Sequence, residues 1–123
     1  MRHLFAVLLL TMPLMVVAQT AATKEFPADA NAISPETLKE RLSGKVFMLN
    51  WVGANAWRLD FRGNGYVYFN SGGTSASGTW RTEEGKVCTN VGNFGANCNE
   101  VRESAGQLYY KRQSGEVVQL TAQ

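Results

Sequence analysis

The residues able to do chemistry in this chain of 123 residues are few. Its one histidine, His3, stands ahead of an apolar run at the very start, and its two cysteines, Cys88 and Cys98, close a short segment of the second half. If the stretch carrying His3 is removed as a leader, the mature chain holds no histidine. Ser–His and Cys–His nucleophile pairs, histidine bases and histidine-based metal sites are then excluded. Paired cysteines would leave no thiolate either. The carboxylates Asp60, Glu83, Glu84, Glu100 and Glu103 fall on polar strand faces or in turns and read as solvated surface charge. Nothing in their spacing sets two of them at the roughly 5 Å or 6.5–9.5 Å that glycoside hydrolysis needs. The glycines of GNG (Gly63 to Gly65) and NSGG (Asn70 to Gly73) lack the strand–loop–helix context of phosphate and dinucleotide sites. The expectation is a protein that is not an enzyme and takes no cofactor and no metal.

Two patterns point to binding instead. Trp51, Trp57, Trp80, Phe47, Phe61, Phe69, Tyr66, Tyr68, Tyr109 and Tyr110 crowd a small domain. Rings at this density either fill an interior or line a pocket for an apolar or sugar ligand; filling by Trp51, Trp57, Trp80 and Phe61 is the reading preferred. The second pattern is TNVGNFGANCN, Thr89 to Asn99, a polar loop with Phe94 between glycines. Tied at both ends it would be pre-organised, which lowers the entropy cost of binding. Asn93, Phe94 and Asn97 are therefore candidate binding residues, with Ser71 and Thr74 of a second Gly/Ser-rich connection beside them.

The compartment follows from the N-terminus. Arg2 and His3 precede an apolar run, Leu4 to Val17, broken only by Thr11 and Pro13, and Val16-Val17-Ala18 ends it. This is the plan of a secretory signal peptide over residues 1–18, with cleavage expected after Ala18. The run is shorter than the ~20 residues a membrane span needs. A periplasmic or secreted location is expected, with no membrane span after cleavage, and in that compartment Cys88 and Cys98 read as a disulfide. The formal charge of +2 falls by one with Arg2, and acidic and basic residues are interspersed. Nucleic acid is not an expected partner.

The elements that must position these residues are legible in outline. Residues 19–33, rich in Ala and Thr, read as a flexible N-terminal arm, with Phe26 and Ile33 able to dock on the body. SPETLKERLSG, Ser34 to Gly44, reads as a short helix: Ser34 caps, Pro35 opens it, Gly44 ends it. Leu38 and Leu42 form its apolar stripe, so it must lie against a sheet as a lid or plug. From Lys45 the period is two. Trp57, Leu59 and Phe61 alternate with Arg58, Asp60 and Arg62, and Gly63-Asn64-Gly65 turns into Tyr66 to Asn70. Ser71 to Ser75 reads as a mobile connection. Further strands follow at Ala76 to Thr82, Lys86 to Val91, Cys98 to Glu103, Gln107 to Arg112 and Glu116 to Thr121. About eight strands at near-regular spacing argue for an antiparallel meander. The expected fold is mainly β, a small closed lipocalin-like barrel with one short helix at an end, within one domain spanning 34–123. A two-sheet sandwich is the alternative.

Gly78-Thr79-Trp80-Arg81, then Gly85-Lys86-Val87-Cys88, a second cysteine at Cys98 and Ser114-Gly115-Glu116 resemble a family of small exported bacterial proteins known only as a domain of unknown function. Gly53, Trp57, Phe61, Gly63 and Gly65 match that family's entry pattern. The resemblance implies a periplasmic β-rich domain with a Cys88–Cys98 bridge and no catalytic residues. A weaker likeness is to periplasmic lysozyme inhibitors, whose loop presents a serine beside a basic or tyrosine residue. Ser71 to Ser77 has the serines and no such companion. The function expected is binding of a cell-envelope protein through loops at one barrel end; the alternative is carriage of a small apolar or sugar ligand inside the barrel.

Overall fold

A computed structural model describes residues 23–123; the expected leader and the first residues of the arm lie outside the described residues. Nine strands and one helix follow in the order β1 (Asn31–Ala32), α1 (Pro35–Leu42), β2 (Lys45–Leu49), β3 (Trp57–Phe61), β4 (Tyr66–Ser71), β5 (Thr74–Glu83), β6 (Lys86–Val91), β7 (Ala96–Ser104), β8 (Gln107–Lys111) and β9 (Val117–Ala122). Each of β2 to β8 pairs antiparallel with the next, and β2 pairs with β9. The meander therefore closes into an eight-stranded barrel, and the sandwich alternative falls away. Closure removes the open edges that a sheet of this size would otherwise present.

The registers assign the two faces. Phe47, Leu59, Phe69 and Ala76 lie at one level on consecutive strands, and Val87, Asn99, Thr89 and Asn97 share the inner face of β6 and β7. Cys88 and Cys98 are directly opposite each other on the outer face and form a disulfide. On β4, Val67 is fully buried while Tyr66 and Tyr68 are the exposed pair. Asp60, expected to be solvated, is buried on the outer face under Arg62, with 2.9 Å between carboxylate and guanidinium. The Arg62 guanidinium also lies over the Tyr68 ring, which closes the cover.

The helix plugs one end. The Ser34 hydroxyl accepts the Thr37 N–H at 3.3 Å, and the Ser43 N–H donates to the Lys39 carbonyl at the other terminus. Leu38 and Leu42 are fully buried. Three polar ties seat the helix: Thr82 Oγ1 donates to the Pro35 carbonyl at 2.8 Å, Arg41 pairs with Glu103, and Arg41 Nη2 donates to the Gly106 carbonyl at 3.0 Å. Beneath it Phe61 meets Trp80 edge-on at 5.2 Å and Phe47 at 6.1 Å. The Trp80 indole N–H is satisfied by the Arg62 carbonyl at 2.9 Å. This half of the barrel is filled.

Three segments differ from expectation. The connection at 71–75 is not mobile: Ser71 pairs with Thr74 across Gly72-Gly73. Both glycines have positive φ, 52° and 85°, as a two-residue type I′ hairpin demands. Strand β7 starts at Ala96, so Asn97 belongs to a strand. The segment read as an arm is tied down over its described part. Thr23 bridges to Val117, Ile33 is buried, Asn31 and Ala32 pair with Glu103 and Arg102, and Phe26 lies under the Arg102 guanidinium. Strand β1 occupies the length of β7 that lies beyond the last pair β6 makes, Lys86 with Glu100.

Candidate functional site: a cavity at the open end of the barrel

Opposite the helix lie the connections 50–56, Gly72-Gly73, the 3-10 turn Gly92–Phe94 and residues 112–116. Alternation aims every second side chain of each strand inward. At this end the inward residues do not meet, and they enclose a cavity of about 480 Å³. Trp57 and Leu59 of β3 and Phe69 of β4 form one wall. Thr89 and Val91 of β6 with Asn97 of β7 form the wall across from it. The rings are braced edge to face, a favourable geometry for aromatic pairs: Trp51 to Trp57 at 4.8 Å, Trp57 to Phe69 at 5.5 Å, and Phe69 to Phe94 at 5.4 Å.

Asn99, Tyr110 and Gln113 form a hydrogen-bonded set within the lining. Gln113 Nε2 donates to Asn99 Oδ1 at 3.2 Å, and Asn99 Nδ2 donates to the Tyr110 hydroxyl at 2.7 Å. Asn99 and Tyr110 are buried, at 7% and 5% exposure. Burial raises the Tyr110 hydroxyl pKa well above its ordinary value, because removal from water penalises the phenolate. The hydroxyl therefore stays protonated at neutral pH. Its oxygen accepts from Asn99, and among the described residues its hydrogen has no acceptor.

Arg112 stands at the rim with its charge committed. Its guanidinium lies over the Trp51 ring at 4.2 Å, its Nη2 donates to both Glu116 carboxylate oxygens at 3.1 and 3.3 Å, and its Nε donates to Ser114 Oγ at 3.0 Å. Among the described residues no carboxylate lines the cavity. Glu83, Glu100 and Glu103 pair instead with Arg81, Arg102 and Arg41 away from it.

The five candidate binding residues all stand at this end and divide there. Phe94 and Asn97 line the cavity, and Asn97 Nδ2 donates to the Phe94 carbonyl at 3.2 Å, holding the turn. Phe94 is 59% exposed, with its ring over the mouth against Phe69. Asn93 is exposed on the turn, and Ser71 and Thr74 close the neighbouring hairpin; none of these three lines the cavity. The larger depression, about 870 Å³, is an open groove outside the barrel between Thr23–Pro27 and β8 and β9. Among the described residues its side-chain hydrogen bonds run from Thr23 to the Val117 carbonyl, part-buried, and from Gln119 to Gln107, exposed.

Sequence alone does not mark Asn99, Tyr110 and Gln113 as a group. Asn99 reads as one more polar loop residue and Tyr110 as one ring among many. The available signal was Asn99 and Tyr110 at inward positions of successive strands. The disulfide lies outside the cavity wall and closes the segment that carries Phe94. Among the described residues no helix is long and apolar enough to cross a membrane. No family model, curated protein or solved structure matches the chain.

Proposed function

We propose that this protein is a non-enzymatic, exported carrier that holds one small, mostly apolar molecule in the open half of its barrel. The observation that carries the reading is the cavity of about 480 Å³, ringed by aromatic side chains and lined in part by a small polar network. Small-molecule sites are typically of ~300–1,000 Å³, mostly apolar, with a few convergent polar groups. Eight strands enclose a space that side chains just fill or that admits one small ligand, and here the helix end takes the first course and the open end the second. The exported setting is supported by the leader pattern of residues 1–18 and by the Cys88–Cys98 disulfide.

The test is titration with the neutral fluorophore N-phenyl-1-naphthylamine, whose emission rises on leaving water. Saturable one-to-one binding is expected, and it should disappear in Thr89→Phe, which fills the cavity from β6, with circular dichroism unchanged. Binding of equal strength in that variant places the probe elsewhere and overturns the reading. A second reading, an envelope protein gripping the rim, is favoured by the exposure of Phe94 beside Asn93 on the same end. It predicts that Asn93→Ala, which stands outside the cavity, abolishes cross-linked capture from an envelope extract while leaving probe binding intact.

A further inference from the structure

Resting on the cavity reading above, we infer that the ligand is an uncharged, ring-bearing molecule that presents a carbonyl oxygen to the Tyr110 hydroxyl. Size comes first. At the interior packing density of about 0.74, a space of about 480 Å³ holds up to roughly 20 to 25 non-hydrogen atoms. That is room for a two- or three-ring compound with its substituents.

The shape of the walls selects rings over a bent chain. Trp57, Phe69 and Phe94 stand edge to face in series around the space. Flat faces and edges held in this arrangement continue naturally into a planar guest.

The polar requirement is set by hydrogen-bond counting. Gln113 donates to Asn99 and Asn99 donates to Tyr110, so the relay runs one way and terminates in an O–H that has no protein acceptor among the described residues. A buried hydroxyl left in that state is costly. A guest satisfies it by offering a lone pair, which a hydrocarbon lacks.

Charge is decided at Arg112. A carboxylate guest would be expected to seek the guanidinium, but Glu116, 7% exposed, already takes two of its hydrogen bonds and Trp51 covers its face. Drawing Arg112 away would strand a buried carboxylate, a heavy penalty. The local charges thus cancel before any ligand arrives, and an anion gains nothing to offset its own dehydration.

Three probes of one size separate these statements: 2-acetylnaphthalene, 2-ethylnaphthalene and 2-naphthoate, titrated at pH 7 by calorimetry or tryptophan quenching. The ketone should bind roughly five- to tenfold tighter than the hydrocarbon, the worth of one hydrogen bond to a buried donor. It should exceed the carboxylate by more than tenfold. In the double variant Tyr110→Phe/Asn99→Leu, which removes both polar partners together, the advantage of the ketone over the hydrocarbon should vanish. Equal binding of ketone and hydrocarbon by the native protein, or tightest binding of naphthoate, overturns the inference while leaving the cavity occupied. Failure of all three overturns the carrier reading itself. Should the double variant not fold, the ranking on the native protein still decides.

Discussion

Tyr110 has a consequence that reaches beyond binding. Its hydroxyl is buried and its pKa is raised above the ordinary 10.0, while in the unfolded chain it titrates near that ordinary value. Below pH ~10 both states keep the proton and the contribution is fully present. Above it the unfolded chain releases the proton and the folded one does not, so stability falls as pH rises. At pH ~11 the loss from this residue is about 1.4 kcal/mol. Melting temperatures measured from pH 8 to 11 should therefore fall more steeply for the native protein than for Tyr110→Phe. Parallel curves would place the hydroxyl in water. Phe94, by contrast, is half in solvent and braced mainly by Phe69. Its ring covers the mouth and adds little to the core.

At the scale of elements, the β5–β6 hairpin shows how a small residue decides a wall. A Cβ built on Gly78 would stand 1.8 Å from the Asn90 carbonyl oxygen. The two backbones thus approach more closely than any side chain allows, next to Trp80, which fills the other end. Gly78→Ala should cost about 2–3 kcal/mol, at the upper part of the overpacking range, because the obstacle is backbone and cannot rotate away. Denaturant melts measure it. A change below about 0.5 kcal/mol would mean that the strands are further apart. The helix is the converse case, an element whose local signals and tertiary role agree. Ser34 caps it, Pro35 starts it, and Leu38 and Leu42 place it on the barrel. It is too short to be stable without that surface.

For the whole molecule, the disulfide and the barrel closure act on different things. Closure by β2–β9 pairing seals the sheet, whereas Cys88–Cys98 ties two strands that already pair directly. Its contribution lies mainly in the unfolded chain: a cross-link across a sequence separation of 10 is worth about 2.5 kcal/mol on the chain-entropy estimate. Reduction should lower the unfolding free energy from denaturant melts by about that amount, with the native β circular dichroism retained. It should also weaken probe binding, since the turn carrying Phe94 lies inside the bridge. Unchanged stability after confirmed reduction would show that the unfolded state is already constrained there.

Strand alternation, turn positions and helix caps are local properties, and the sequence by itself determined them. Trp57, Leu59 and Phe61 were legible as an inner face, and about eight strands at regular spacing implied a barrel. The tertiary structure alone decided which half of that barrel is full. A void is the difference between the space eight strands enclose and the volume their inward side chains occupy, and no window of sequence contains both quantities. Rings of one type therefore serve opposite ends: Trp80 and Phe61 pack beneath the helix, whereas Trp57 and Phe69 wall a cavity. The same holds for the polar network. Asn99 and Tyr110 meet only because β7 and β8 pair, and Gln113 of the connection after β8 reaches Asn99 from the rim. Sequence grouped Asn93, Phe94, Asn97, Ser71 and Thr74 on loops at one barrel end; closure of the barrel separated the two that line the cavity from the three that stand outside it.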